Sequence, residues 1–309
     1  MKVFVFGASG LVGSAVARTC VRRRIDTFGF TASRLSGVEG LVSERRLDAT
    51  DREAVERLIL EEWPDVVVNA AAVSSPGAVD RDPGLAEKVN VAFPRQLAML
   101  TRHLGSKLIH FSTDMVFDGS EGGYRSTSTP NPANLYGQMK LLAEKEVLRF
   151  NDERPVVLRI TIVNGNSVSG RRSVHEKLLE AVAAGERPRL FTDETRQPCS
   201  AENVAAATAE LIERDDLHGI FHWAGAESVT RYELGRRVLE RFGLGDGHLE
   251  PVSLADDPAV EGRPADLTME LAPLAGKLKT LPASLDEQLA ELRPPDHLYK
   301  WVREHGRLR

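Results

Sequence analysis

The chain begins with a short apolar strand that runs directly into a glycine-spaced turn and then into a helix. The apolar run Val3 to Phe6 precedes Gly7-Ala8-Ser9-Gly10-Leu11-Val12-Gly13, and a helical pattern follows as far as Arg24. Glycines at this spacing allow a sharp turn and let a phosphate approach the helix N-terminus, where free N–H groups and the dipole favour anions. Placed between a strand and a helix, the turn predicts dinucleotide binding. The predicted cofactor contacts here are Gly7, Gly10, Leu11, Val12 and Gly13.

The same stretch also resembles a signal peptide, because Lys2 precedes an apolar run that ends in small residues. We favour the strand–turn–helix interpretation, since three glycines interrupt the run and the helix continues into Arg22-Arg23-Arg24. Positive charge is favourable at a helix C-terminus. No stretch reaches the roughly 20 apolar residues that a membrane span needs. We therefore expect a soluble protein with no membrane partner.

Composition narrows the class of protein further. The 309 residues are 42% hydrophobic and 28% charged, which favours one large or two smaller domains with a sizeable core and excludes disorder as the main state. Acidic residues (45) outnumber Lys plus Arg (40), which disfavours a nucleic-acid partner. The two cysteines, Cys20 and Cys199, form no metal-type cluster or disulfide framework, so we expect no metal site and a cytoplasmic location.

Short apolar runs alternate with longer helical patterns through the first half of the chain. Strands are predicted at residues 3–6, 25–30, 65–69, 107–111 and 155–160, and helices at 11–24, 51–62, 85–104 and 135–150. After residue 165 we expect helices at 174–184, 203–213, 231–242 and 285–292 and strands at 189–191 and 220–223. The pattern predicts an α/β fold, a Rossmann-type doubly wound parallel sheet with a smaller C-terminal α/β substrate domain. The expected division is 1–165 for NAD(P) binding and 166–309 mainly for substrate binding, with some later segments returning to the Rossmann part.

The residues after the second predicted strand bear on the choice of cofactor. An acidic residue there would bind the adenosine 2′-hydroxyl of NAD, whereas a basic residue accommodates the 2′-phosphate of NADP. This chain has Ser33 and Arg34 and lacks an acid, so NADP(H) is preferred and NAD(H) remains the alternative; Arg34 could also be an ordinary solvated residue. Two further segments are similar to short-chain dehydrogenases/reductases, one with Asp48 and Ala49 at the adenine edge and one with Ala70, Ala71 and Ala72 beneath the cofactor.

Tyr136 and Lys140 lie four residues apart and therefore on one helix face. A nearby cation stabilises phenolate and would lower the pKa of Tyr136, making it a usable general acid for a carbonyl that receives a hydride. Such a pair arises easily by chance on an amphipathic helix surface. It follows the strand that carries Ser112 and Thr113, however, where a hydroxyl could bond the same oxygen.

These motifs resemble the dTDP-4-dehydrorhamnose reductase (RmlD-like) family of extended short-chain dehydrogenases/reductases. Its signature S-T-D-Y-V-F-D-G matches residues 112–119, and P-x-N-x-Y-G-x-x-K-x-x-x-E matches residues 132–144. The resemblance runs from residue 1 to about 293. It implies hydride transfer from NADPH or NADH to the C4 ketone of a nucleotide-linked 6-deoxy-sugar. By this analogy Tyr136 donates the proton, Lys140 binds the nicotinamide ribose and tunes Tyr136, and Thr113 orients the carbonyl.

The departures from the signature fall on the substrate side. Met115 replaces the tyrosine of S-T-D-Y, and Ile162 lies where rhamnose-type reductases have a tryptophan. The expected substrate contacts are Thr113, Asp114, Met115, Ile162 and Gln197, the last in a segment similar to the family's D-Q-x-x-x-P-T loop. The altered wall leaves a non-sugar ketone as an alternative substrate.

A second resemblance points away from catalysis. Residues 219–225, 230–233 and 248–251 are similar to the regulatory β subunit of methionine adenosyltransferase, an RmlD-like fold that binds NADP and a partner enzyme. The Tyr-Lys pair does not decide between the two functions, because a binding-only relative can retain it. Activity is the preferred interpretation, with a nucleotide-linked sugar as the small-molecule partner and a homodimer left open.

Overall fold

The computed structural model describes residues 1–256 and 263–306. The strands are β1 (Lys2–Phe6), β2 (Asp26–Thr31), β3 (Ser43–Arg46), β4 (Val66–Asn69), β5 (Lys107–Thr113), β6 (Val156–Ile160), β7 (Val163–Asn164), β8 (Arg189–Phe191), β9 (Thr195–Arg196), β10 (Cys199–Ser200), β11 (Gly219–Trp223), β12 (Val229–Thr230) and β13 (Glu250–Val252). The helices are α1 (Leu11–Arg22), α2 (Arg52–Glu62), α3 (Pro76–Arg81), α4 (Pro83–Glu87), α5 (Phe93–Leu104), α6 (Leu135–Phe150), α7 (Val174–Ala183), α8 (Ala201–Glu213), α9 (Arg231–Arg241), α10 (Leu285–Ala290) and α11 (Tyr299–His305).

Seven parallel strands form the central sheet, in the order β11-β6-β5-β4-β1-β2-β3. The chain starts in the middle of the sheet at β1, moves outward through β2 and β3, and returns to build the other half from β4. The strand order reverses between β1 and β4, and a doubly wound sheet opens its ligand crevice at the carboxyl ends of such strands. The predicted Rossmann-type fold class is confirmed.

Each face of the sheet carries its own apolar core, because alternate side chains of a strand point to opposite faces. On one face Val3 and Val5 pack under α1 and α8. On the other, Phe4 and Phe6 pack with residues of α2 and α5. All residues of β4 and β5 are buried, as expected for strands covered on both faces.

One strand of the sheet was not predicted, and another joins the sheet from beyond the boundary at residue 165. β3 was not predicted, because its sequence Ser-Glu-Arg-Arg has no apolar pattern; it pairs with β2 and ends the sheet on that side. β11, expected near residues 220–223 after the proposed boundary, pairs with β6 at the opposite edge. Helix α8 likewise lies against α1. The division at residue 165 therefore describes where the substrate-side segments begin, and we retain it as a proposal.

The single helix expected over residues 85–104 consists of three pieces. A π-helical turn, Lys88–Ala92, separates α4 from α5. Pro94 has no N–H for an α-helical bond to the carbonyl four residues earlier, which favours a widened turn at this point. The turn aims the buried Asn90 side chain at Val73, whose backbone N–H donates to it at 2.9 Å and whose carbonyl accepts from it at 3.1 Å. The loop that follows β4 is fixed in this way.

The later segments build a further apolar core around α7, α9 and α10. Leu178, Leu179, Leu234, Val238 and Leu285 are among its buried residues. Three small two-strand pairings, β10 with β7, β12 with β9 and β13 with β8, hold the connecting segments together. Among the described residues, no helix has the length and apolar character that crossing a membrane requires.

Candidate active site

A cleft of about 1060 Å³ opens at the carboxyl ends of the central strands, between the sheet and the later helices. It is lined on the sheet side by the glycine turn, the loop after β4, the end of β5 and the start of α6. Many of the site residues predicted from the sequence line this cleft: Gly10, Leu11, Val12, Ala70, Ala71, Ala72, Thr113, Asp114, Met115, Tyr136, Lys140 and Ile162. The structure thus brings together both halves of the predicted constellation, the cofactor turn and the Tyr-Lys pair.

The glycine turn is held so tightly that two of its positions require glycine. Gly7 has φ +78°, and a Cβ there would lie 2.7 Å from the backbone of Ala70. A Cβ on Gly13 would lie 2.2 Å from the carbonyl oxygen of Gly7. Because no side chain separates these backbones, the N-terminus of α1 lies at the cleft, which Gly10, Leu11 and Val12 line. The N–H of Gly10 donates to the carbonyl oxygen of Gly7 at 2.8 Å, so the N–H groups of the first turn that a ligand could meet begin at Leu11. This cradle fits the diphosphate of a dinucleotide.

The residues expected at the adenosine end lie outside the described lining of the cleft. Ser33 and Arg34 are exposed in the loop after β2, and Asp48 and Ala49 follow β3. All four lie at the carboxyl edge of parallel strands, the same edge as the glycine turn. The carboxylate of Asp48 accepts hydrogen bonds from the backbone N–H and hydroxyl of Thr50, both at 2.8 Å, and these bonds lower its pKa.

The start of α6 explains the spacing of the Asn-x-Tyr-Gly motif. Asn134 caps the helix, its side-chain oxygen accepting from the N–H of Gly137 at 2.9 Å. A Cβ on Gly137 would lie 2.1 Å from the carbonyl oxygen of Met115. The absent side chain lets the helix close onto the turn after β5, where Thr113 ends the strand. Tyr136 is thereby placed beside Thr113, with a hydrogen bond between the two side chains.

Tyr136 has a different electrostatic environment from the one expected. We predicted a pKa lowered by Lys140, but burial and the nearby Asp114 carboxyl raise the pKa of Tyr136 to about 12, while the hydrogen bond with Thr113 opposes the rise. The Lys140 ammonium is engaged elsewhere: its Nζ donates to the carbonyl oxygen of Phe111 at 2.6 Å. The phenol is therefore held protonated at neutral pH.

Lys140 is almost completely buried, with 2% of its surface exposed. Burial lowers its pKa from 10.5 to about 8, and the Glu144 carboxylate opposes this shift. Its Nζ also lies 3.2 Å from Nε2 of His110, whose Nδ1 lies 3.1 Å from the amide nitrogen of Asn69. His110 was missed at the sequence level, although a histidine inside the apolar run of β5 was a usable signal.

A buried ion pair fixes α6 to the sheet one turn beyond Lys140. Glu144 accepts from Arg159 of β6 at 2.9 and 2.7 Å, and from the hydroxyl of Ser112. Both charged residues are 1% exposed. The Arg159 guanidinium also lies 3.4 Å from Nε2 of the buried His222. The network sets the rotation of α6, and with it the facing of Tyr136 and Lys140.

On the substrate side, four of the five expected contacts line the cleft. Asp114 is buried; burial raises its pKa, and the Arg196 charge opposes the rise. Gln197 lies outside the described lining. Its side-chain amide forms hydrogen bonds to two other loops. The amide donates to the carbonyl of Gly225 and accepts from the N–H of Met269, both at 2.9 Å. Its neighbour Arg196 reaches the cleft instead, since adjacent residues of an extended segment point in opposite directions.

Three arginines gather around one buried glutamate on this wall. Glu194 is 2% exposed and pairs with Arg196 at 2.8 Å and with Arg263 at 2.6 Å. Arg231 also lines the cleft near Glu194, and among residues 1–256 and 263–306 its guanidinium makes no hydrogen bond. The cluster carries excess positive charge, which suits an anionic group on the ligand.

The chain is similar in sequence and in structure to known proteins. The chain is 33% identical over 295 residues to the probable low-salt glycan biosynthesis reductase Agl14 of Haloferax volcanii, covering 94% of this chain and 97% of that protein. It is 32% identical over 262 residues to subunit beta of methionine adenosyltransferase 2 from Xenopus laevis, covering 83% and 76% of the two chains.

The structure superimposes with a TM-score of 0.82 and 21% identity on dTDP-4-dehydrorhamnose reductase from Bacillus anthracis in complex with NADP, covering 94% of this chain and 97% of that one. The RmlD substrate binding domain family matches residues 1–294. The chain therefore belongs to the RmlD substrate binding domain family.

Proposed function

We propose that this protein is an NADPH-dependent reductase that transfers a hydride to a ketone, the 4-keto group of a nucleotide-linked 6-deoxy-sugar. One observation carries the proposal: a buried, protonated Tyr136 lies beside the Thr113 hydroxyl, in a cleft that continues into a glycine cradle suited to a dinucleotide diphosphate. A reduced nicotinamide supplies the hydride when bound. The chain's own residues supply the acid, the orientation and the water-excluding wall.

The assigned roles follow from the geometry. Thr113 and Tyr136 lie side by side in the cleft, and the Tyr136 hydroxyl can donate a hydrogen bond to a carbonyl oxygen bound there. The Thr113 hydroxyl donates to Oδ1 of Asp114 at 3.0 Å, so it must leave this partner to orient the substrate. As negative charge grows on that oxygen it becomes a stronger base than a phenolate, so the Tyr136 proton moves to it. A pKa near 12 keeps Tyr136 in its acid form over the physiological pH range. Lys140 contributes positive charge from the adjacent turn of α6, where it would bind the nicotinamide ribose.

The cofactor preference and the substrate class have separate support. NADP(H) is preferred over NAD(H) because Arg34 follows β2, where a 2′-phosphate would be met by a base, and because the Bacillus anthracis reductase was solved with NADP. A nucleotide-linked sugar is favoured because the substrate wall is basic, with Arg231 free to meet a diphosphate. Met115 and Ile162 make the wall next to Tyr136 differ from the rhamnose-type pattern, so the carbonyl substrate is expected to differ from that of the rhamnose-type reductases.

A second candidate function is a regulatory subunit that binds NADP and a partner enzyme. It is favoured by the similarity to subunit beta of methionine adenosyltransferase 2. Reductase activity is preferred because the cleft continues beyond Tyr136 to a wall formed by Arg196, Arg231 and Arg263, which cofactor binding alone does not require. A regulatory role predicts NADPH binding without turnover, together with a stoichiometric enzyme partner recovered from native lysate.

The test is NADPH oxidation measured against a panel of dTDP-4-keto sugars and non-sugar ketones. The expected result is turnover of a nucleotide-linked sugar by the wild-type protein, lost in Tyr136→Phe. Tyr299→Phe is the matched control, because Tyr299 is half exposed on α11, outside the described lining of the cleft. Turnover of the Tyr136→Phe protein at the wild-type rate would refute the assigned acid.

A further inference from the structure

The hydrogen bonds behind Lys140 fix which nitrogen of a buried histidine carries the proton. The side-chain oxygen of Asn69 accepts from the backbone N–H of Ala71 at 3.1 Å. This bond orients the amide, because the flipped amide would place its NH₂ against the N–H of Ala71. The Asn69 NH₂ group therefore faces Nδ1 of His110, at 3.1 Å. Nδ1 must accept this bond and carries no proton.

His110 is neutral, because burial and the Lys140 charge hold its pKa well below the ordinary value of 6.5. A neutral imidazole with a bare Nδ1 carries its proton on Nε2. That N–H points at Nζ of Lys140, 3.2 Å away. An ammonium group has three donors and no acceptor, so an Nε2–H facing it is a donor against a donor. A neutral amine could accept the bond and still donate to the carbonyl of Phe111.

We propose that Asn69 and His110 form a positioning pair that disfavours the ammonium form of Lys140 in the cofactor-free protein. The pair acts through Lys140 alone and does not touch the reacting atoms. The statement about the tautomer stands on the hydrogen bonds. Its consequence for cofactor binding rests on the proposed function, in which Lys140 meets the nicotinamide ribose. Above about pH 8, where the cofactor-free protein leaves Lys140 largely neutral, the entry of an anionic cofactor then restores the proton on Lys140, and binding takes up a proton.

The other titratable groups near Lys140 do not disfavour its ammonium form in this way. Glu144, one turn along α6, favours the charged form, and its own charge is balanced by Arg159 of β6. Tyr136, one turn back on the same helix, is neutral at physiological pH. Asp114, at the end of β5, is a buried carboxyl with a raised pKa. His110 and burial are therefore the two features that oppose the charge on Lys140.

Nitrogen-15 NMR of histidine-labelled, cofactor-free protein tests the tautomer directly, with the His110 signals assigned by their loss in His110→Gln. The expected result for the wild-type protein is that Nε2 of His110 is protonated and Nδ1 is unprotonated. Asn69→Asp should reverse it, because a carboxylate can accept from both Ala71 N–H and Nδ1–H. Asn151→Asp is the control: it adds a buried carboxylate at the far end of α6 and should leave the tautomer unchanged. A proton on Nδ1 in the wild-type protein overturns the proposal, whether or not Asn69→Asp folds.

The pH dependence of NADPH affinity then separates this inference from the proposed function. Wild-type affinity should weaken as pH rises past about 8, and in Asn69→Asp the break should move upward by about one pH unit, a tenfold change in proton affinity. A break at the same pH in both proteins overturns the role of the pair while leaving NADPH binding intact. Failure of the wild-type protein to bind NADPH at any pH overturns the proposed function, and the NMR result still decides the tautomer.

Discussion

Lys140 should reduce the stability of the cofactor-free protein, and Lys140→Met should raise it. The pKa of Lys140 falls from 10.5 to about 8 in the folded state. At about 1.4 kcal/mol per pH unit, holding the ammonium in the fold costs roughly 3 kcal/mol at neutral pH. Removing Nζ also leaves the carbonyl oxygen of Phe111 without this hydrogen-bond donor, which offsets about 1 kcal/mol of the gain. The net expectation is a gain of about 2 kcal/mol at pH 7.

The pH dependence of this gain has a definite sign. Between pH 8 and 10.5 the unfolded chain binds a proton at Lys140 that the folded protein has lost, so stability rises with pH in this window. The penalty is complete below pH 8 and absent above 10.5, so the advantage of Lys140→Met should shrink from pH 7 to pH 10.5. Urea unfolding of both proteins at the two pH values measures it. The reasoning would be refuted if Lys140→Met were less stable than wild type at pH 7. It would also be refuted if the stability difference between the two proteins were the same at both pH values.

Lys107→Met provides a matched control for the same calculation. Burial also lowers the pKa of Lys107 to about 8, at the opposite edge of the sheet. Its Nζ donates to two carbonyl oxygens, those of Leu211 at 2.6 Å and Arg214 at 2.5 Å. Because Lys107→Met leaves both without this donor, the two lost bonds should offset most of the gain, at about 1 kcal/mol each.

Three other substitutions test separate parts of the structure. Arg159→Met leaves Glu144 buried and unpaired and should cost about 3–5 kcal/mol in urea unfolding, whereas the double substitution with Glu144→Met should recover most of the loss. Additive losses in the double variant would contradict this. Gly13→Ala places a methyl group against the carbonyl of Gly7 and should weaken NADPH binding at least tenfold by fluorescence titration, about 1.4 kcal/mol; unchanged affinity would count against the cradle. Glu194→Gln should destabilise the arginine cluster, and added sulfate should restore more stability to this variant than to wild type; equal salt responses in the two proteins would argue against it.

The fold was predictable because its main strands are apolar runs at regular spacing. β1, β4, β5 and β6 are each short and largely buried, so their apolar pattern is visible without knowledge of the partners. β3 escaped prediction because it is a polar edge strand. The break in the helix over residues 85–104 depends on where a proline falls within it, and its effect shows only in three dimensions.

The candidate site was predictable only where its residues are close in sequence. Tyr136 and Lys140 lie one turn apart on one helix, and Thr113 ends a strand, so their convergence follows from the α/β order. The arginine cluster could not be foreseen, because Glu194, Arg231 and Arg263 come from segments that meet only in the tertiary fold. The raised pKa of Tyr136 also depends on burial and on the facing of Asp114, which spacing along the chain does not fix.

The most direct test of the central claim is transfer of deuterium from C4-deuterated NADPH to a dTDP-4-keto-6-deoxy-sugar, followed by mass spectrometry of the product. The proposed mechanism predicts deuterium at the former carbonyl carbon with the wild-type and Tyr299→Phe proteins, and no labelled product with Tyr136→Phe. NADPH binding without label transfer to any ketone in the panel would contradict the reductase assignment and favour the regulatory alternative.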